Sequence, residues 1–192
     1  MHYEDYTPLT TEEVSRALSK SSNTSAPGND HIPYSVWKSL HCIKPSLLPS
    51  LLDPLLAHGF HPPSLKKALC IVLNKPGKSS YDSPYFFMVI VLLRKLSKIL
   101  ERVVISRLEA HAAICSLMHP LQCGSLPARS TPDAALVLQR NFESTHRLRY
   151  KVSTLLLDVK AGFDNVESPS LLSLLSRKGV SPYLIQWVGS CL

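Results

Sequence analysis

An α+β fold is what the sequence predicts, on three observations. Apolar residues recur at helical spacing through most of the chain, a few well-separated β-branched runs interrupt them, and proline or glycine marks most junctions. No internal repeat is visible.

Taken in order, Thr10 followed by Glu13 has the form of a capping box, and Val14, Ala17 and Leu18 give a first helix its apolar face. That helix ends in the loop Ser21–Gly28. Pro33 suits the first turn of a second helix, expected to carry Val36, Trp37, Leu40 and Ile43 inward. Paired leucines at 47–48, 51–52 and 55–56 predict a third helix closed by Gly59, with Pro54 expected to kink or shorten it. Residues 68–73 (Ala-Leu-Cys-Ile-Val-Leu) read as a buried strand ended by the turn Asn74–Lys78. Phe86–Leu93 is a second strand or the entry to a helix. From Lys95 to about Ala113 the period is helical, with Arg94, Lys98 and Arg102 on a face read as solvated. Thr131 is expected to cap a helix that starts at Pro132 and runs past Phe142. Val152–Val159 is the strongest strand pattern. Ser168-Pro169 and Ser181-Pro182 open two short closing helices.

The 192 residues suffice for one moderate core, and 45% hydrophobic content fits a folded protein. A formal net charge of +7 suggests a polyanionic partner, nucleic acid or an anionic surface, although many basic proteins bind neither. Met1–Tyr6 is too polar for a signal peptide, and the longest apolar run, Tyr85–Leu93, falls well short of the ~20 residues that span a bilayer. No membrane association is expected. Five cysteines without a Cys-x-x-Cys pair read as reduced thiols of an intracellular protein. His111, Cys115, His119 and Cys123 recur every fourth residue, but Pro120 would break the helix needed to align them, and the spacing matches no known zinc pattern.

Four blocks, in order, carry the functional reading. They are residues 25–33 (Ser-Ala-Pro-Gly-Asn-Asp-His-Ile-Pro) and 73–78 (Leu-Asn-Lys-Pro-Gly-Lys) with 96–102 after it. Then come Gln122-Cys123-Gly124 continuing to Arg129–Ala134, and finally residues 157–164 (Leu-Asp-Val-Lys-Ala-Gly-Phe-Asp). The ordered set resembles the polymerase domain of LINE-type (non-LTR retrotransposon) reverse transcriptases, most closely those of filamentous fungi. The resemblance covers almost the whole chain and implies a partial right-hand polymerase. Residues 1–62 would be an N-terminal helical region, 63–150 the fingers, and 151–192 the start of the palm.

Further implications attach to single residues. Nucleotidyl transfer uses divalent ions, and Mg2+ prefers hard oxygen ligands, usually taking few from the protein. Asp158, directly after an apolar strand pattern, matches the family's metal-binding catalytic aspartate. An aspartate there could instead close the strand by bonding its turn. Phe163 matches the bulky residue beneath the incoming sugar, where a ring excludes a 2′-hydroxyl; read alone, it is a core residue. Lys75 and Lys78, after the first strand, could meet template or triphosphate as flexible point charges, and Arg129 matches a position near the template. For all three the alternative is a solvated charge. A phosphate-loop reading of Gly77-Lys78-Ser79 fails, because Val72 stands where glycine is needed.

The implied partners are an RNA template and a DNA primer, in the nucleus, with Mg2+ as cofactor. Two departures stand out. Met88 occupies a position where the family usually has arginine, and the family's Gly-Gln-Gly and Tyr-x-Asp-Asp blocks have no counterpart before Leu192. The expectation is therefore a fragment, inactive alone, whose unpaired palm edge would favour self-association. The competing expectation is a non-enzymatic nucleic-acid-binding module.

Overall fold

The computed structural model describes residues 6–78, 80–159, 162 and 165–192. Eight α-helices, a short 3-10 helix (Pro84–Phe86) and one two-stranded sheet make the fold α+β among these residues. The helices are α1 (Thr11–Ser19), α2 (Tyr34–Ile43), α3 (Leu47–Ala57), α4 (Pro63–Lys66), α5 (Lys95–Ile114), α6 (Thr131–Arg147), α7 (Ser168–Arg177) and α8 (Pro182–Cys191). The strands are β1 (Ala68–Asn74) and β2 (Phe87–Leu93), paired antiparallel from Ala68 opposite Leu93 to Asn74 opposite Phe87. Two compact units emerge, Met1–Leu108 with Leu172–Leu192, and Glu109–Leu171. No helix is long and apolar enough to cross a membrane among the described residues.

The first unit holds the core. Val14 and Leu18 of α1 meet Leu48, Leu52 and Leu56 of α3, Ile99, Leu100, Val103 and Val104 of α5, and Leu184 and Trp187 of α8. The leucines of α3 recur every fourth residue and are fully buried, so one helix face supplies the centre of the core. The capping box forms as read: the Glu13 N–H donates to the Thr10 hydroxyl, and the Thr10 N–H donates to the Glu13 carboxylate at 3.0 Å. Helix α3 runs through Pro54 to Ala57, so proline does not shorten it. Gly59 then reverses the chain at φ 58°, with its own N–H on Leu56 and that of Phe60 on Leu55.

Several readings need correction. In α2 the buried residues are Tyr34 and His41, while Val36 and Ile43 are exposed, because the helix turns its mixed face inward. Strand β1 is exposed rather than buried, since the hairpin's two strands cover only each other's backbone edges. Ser130, not Thr131, caps α6; its N–H and hydroxyl both donate to the Asp133 carboxylate, at 2.7 and 2.6 Å. Ser168 is the first residue of α7 rather than its cap, whereas Ser181 caps α8 as read. Residues 151–159 join no sheet, and Leu155, Leu156 and Leu157 are at least 80% exposed. Strand propensity alone cannot satisfy a backbone; a ladder needs a partner edge, and among the described residues β1 and β2 pair only with each other.

One buried polar cluster predicts that the stability of the first unit depends on pH. Ser97 is fully buried and donates to Glu101 Oε1 at 3.0 Å, so at its 3.2 Å contact with His61 the imidazole Nε2 must be the donor. Nδ1 is then a bare acceptor, buried without a partner and beside the Trp187 ring. Burial lowers the His61 pKa, Glu101 opposes that shift and Lys66 adds to it. A depressed imidazole is neutral in the fold, so its contribution is intact above the unfolded value of about 6.5 and is lost as pH falls through the folded value. Melting temperature should therefore drop on acidification below about pH 6.5. The drop should be shallower in His61→Gln, measured by thermal scans across pH. Parallel curves for the two proteins would remove His61 as the cause.

Candidate functional site

The first motif block, residues 25–33, folds onto the entry to α5. A Cβ on Gly28 would lie 2.6–2.7 Å from the backbone of Leu93 and Arg94, so only glycine permits the approach. The turn that follows is held by His31 N–H on Gly28 O at 3.0 Å and Ile32 N–H on Asp30 Oδ1 at 3.3 Å. From α5 and its entry, Arg94 Nε reaches Asn29 Oδ1 at 3.0 Å and Lys95 Nζ reaches Ser25 Oγ at 3.2 Å.

Tyr34, buried beneath this loop, has Lys95 Nζ at 4.8 Å and Arg102 Cζ at 5.3 Å from its ring centre. Arg102 also donates to Ala17 O at 3.0 Å and to the Ser21 hydroxyl. Burial lowers the Lys95 pKa, Arg102 and Lys98 lower it further, and Asp30 opposes them. Lys98 pairs with Glu101 at 2.8 Å. Of the stripe read as a solvated face, Lys98 stays partly exposed and pairs within α5, whereas Arg94 and Arg102 fasten the N-terminal elements to α5 and its entry. Sequence periodicity could not show this because those partners lie far apart in the chain.

Lys75 and Lys78 share the turn after β1. Lys75 is not the flexible point charge expected. Its Nζ donates to Tyr85 O at 2.8 Å, its N–H to Phe86 O at 2.9 Å, and its carbonyl accepts from the Tyr81 hydroxyl at 2.9 Å. Lys78 is exposed, one residue past Gly77 at φ 75°, with Nζ 5.9 Å from the Phe86 ring centre. Met88 lies opposite Leu73 in the ladder, an uncharged residue on an apolar strand pair.

In the second unit, Arg129 is exposed, and its Nη1 donates to Pro120 O and, at 2.7 Å, to Gln122 O. The guanidinium therefore braces the loop that carries the Gln122-Cys123-Gly124 block and precedes α6. Asp158 is exposed, and its Oδ1 accepts the N–H of Val159 at 2.9 Å. Phe163 lies outside the described residues. Among those residues no group of three or more His, Cys, Asp or Glu side chains gathers as a metal site. His119, from the fourfold histidine and cysteine spacing, accepts the Leu121 N–H at Nδ1.

A loop pinned by a glycine, a lysine-bearing hairpin turn, an arginine before a helix and an aspartate after an apolar run occur here in one fixed order. Residues 75–192 match the reverse transcriptase (RNA-dependent DNA polymerase) family, and the chain belongs to it. Its relatives place it with the non-LTR, LINE-type retrotransposon enzymes. Over 95% of its length it is 28% identical to the RNA-directed DNA polymerase from mobile element jockey of Drosophila funebris. It is 25% identical over 92% of its length to the probable RNA-directed DNA polymerase from transposon BS of Drosophila melanogaster. A third relative, the Pol polyprotein from the type-1 retrotransposable element R2 of Popillia japonica, is 27% identical over 91% of the chain and is covered over 23% of its own length. None of these is fungal. The chain spans about a fifth of the length of the first two, 20% and 19%.

Proposed function

We propose that this chain supplies the N-terminal helices (residues 1–62), the fingers (63–150) and the first part of the palm (151–192) of a right-hand RNA-directed DNA polymerase. Its substrates in that role are an RNA template and a DNA primer. The observation that supports the reading is that the family match over residues 75–192 takes in Lys75 and Lys78, on the turn after β1, and Arg129, in the loop before α6. Arg129 and Lys75 use part of their donor capacity on nearby carbonyls, which fixes their heads for phosphate contact.

Reverse transcriptases generally use divalent metal ions. Mg2+ takes one or two carboxylates from a protein and completes its shell with phosphates and water, so the exposed carboxylate of Asp158 fits as one such ligand. When bound, the ion would neutralise charge on the transferring phosphate. Asp158 contributes the fixed oxygen, and its bond to Val159 N–H orients the carboxylate. Phe163 in this reading selects against a 2′-hydroxyl. The exposed, unpaired segment 151–159 is also an edge for self-association, unless further strands cover it.

If the three basic residues contact phosphate, neutralising Lys75, Lys78 and Arg129 together should weaken RNA binding across sequences and lower the slope of log affinity against log salt by about 2. An unchanged slope would return all three to the role of solvated charges. RNA binding by this chain with no activity in any longer polymerase context would favour the non-enzymatic binding module.

A further inference from the structure

Helices α1 and α5 enclose a small cavity of about 20 Å³ inside the first unit, lined by Arg16, Ala17, Arg102, Val103 and Ser106 among others. Ala17 and Val103, both buried, give it a dry apolar side. Three cations border it: Arg16 of α1, Lys20 at the cap of α1, and Arg102 of α5. Arg16 and Lys20 are four residues apart, a like-charge spacing that destabilises a helix. Among the described residues, no carboxylate lies within ion-pair distance of any of the three. Glu13 is the one carboxylate on the lining, and it is already committed. Its oxygens take Arg107 Nε and Nη2 at 2.8 Å each, and one also takes the Thr10 N–H at 3.0 Å. Positive charge is therefore in surplus around the cavity.

The acceptors at the end of α1 are used up as well. Ala17 O takes Arg102 Nη1 and the Ser21 hydroxyl, each at 3.0 Å. Arg16 O takes the Ser19 hydroxyl at 2.9 Å and the Lys20 N–H at 3.4 Å. What the lining has left over is donors: the side-chain N–H groups of Arg16 and Lys20, those of Arg102 not spent on Ala17 and Ser21, and the Ser106 hydroxyl. A water molecule held there would need acceptors for its own protons, whereas an anion needs none. The volume suits a single water-sized occupant and is too small for a phosphate or carboxylate group.

We propose that this cavity binds a monatomic anion, chloride, held between α1 and α5 by Arg16, Lys20, Arg102 and Ser106. The inference does not depend on the polymerase reading. Bound chloride offsets the repulsion between Arg16 and Lys20 and ties α1 to α5, so the stability of the first unit depends on which anion is present.

The test is thermal unfolding of the full chain as chloride replaces methanesulfonate, an anion too large for the cavity, at constant ionic strength. The midpoint should rise by about 3 °C or more, and saturate, as chloride reaches about 200 mM. Arg16→Gln with Lys20→Gln should abolish that rise. Both residues are exposed, so the double variant keeps the fold. In methanesulfonate alone it should melt no lower than the unaltered chain, because a like-charge pair has been removed. The chlorine NMR line should broaden with the unaltered chain and not with the variant. A midpoint indifferent to chloride, or an equal chloride response in the variant, overturns the proposal. Stabilisation by phosphate beyond that by chloride, lost in the variant, also overturns it, because the cavity would then take an oxyanion.

Discussion

Replacing Arg107 with methionine should cost the first unit about 3 kcal/mol of stability, near the lower end for breaking a buried ion pair because Glu13 retains some solvent contact. The guanidinium is 10% exposed and the Glu13 side chain 21%. All five of its donor positions are used. Nε and Nη2 take the two Glu13 oxygens at 2.8 Å each, Nη1 takes Thr7 O at 2.7 Å and the Tyr183 hydroxyl at 3.1 Å, and Nη2 also takes Pro8 O at 3.2 Å. One side chain thus ties the segment before α1, the capping box of α1, α5 and α8. Burial opposes ionisation at both ends of the pair, but the hydrogen bonds win: the Arg107 pKa is raised and that of Glu13 lowered.

Methionine keeps most of the volume and none of the donors, leaving the partly buried Glu13 carboxylate with Thr10 but without its counter-ion, and the Thr7 and Pro8 carbonyls without this donor. The midpoint of thermal unfolding should fall by roughly 6–12 °C for a chain of this size. Adding Glu13→Gln to Arg107→Met should recover part of the loss, because the stranded charge is then gone. A midpoint within about 2 °C of the unaltered chain would show that the clamp is solvated in solution.

The parts of the fold that could be read in the sequence are those fixed by near neighbours. The Thr10–Glu13 capping box, the leucine face of α3, the Gly59 reversal and the Pro182 start of α8 each depend on residues within a turn of one another. What escaped depends on distant partners. Val152–Val159 has every local mark of a strand, yet a strand exists only where an edge is offered, and no local pattern records that. On α2, Trp37 packs against the core as expected, but Val36 and Ile43 do not, and the buried apolar residue is Tyr34, whose ring meets cations 61 and 68 residues away, a pairing no periodicity reveals. Arg107 and Glu13 stand 94 residues apart and carry no motif. At the candidate site the order was reversed. Geometry singles out Asp158 only weakly, as one exposed carboxylate, whereas the succession of blocks along the chain points to it. The anchored head of Lys75 could not be foreseen, since Tyr85 and Phe86 reach it only once the hairpin closes.

The role of Asp158 has the largest expected effect. Primer extension on an RNA template with Mg2+ should be measured for a jockey-type polymerase whose matching segment is replaced by this chain. Asp158 is solvent-exposed and bonds only its neighbour's N–H among the contacts described, so Asp158→Asn keeps the shape and leaves folding intact. Asparagine keeps an oxygen but not the charge, and a hard divalent ion loses a ligand whose stabilisation of the reacting phosphate is worth several kcal/mol. The predicted result is extension by the chimera and a loss of at least about a thousandfold in Asp158→Asn, with RNA binding unchanged. Extension by Asp158→Asn at the rate of the unaltered chimera would contradict the assignment of this aspartate to the catalytic metal.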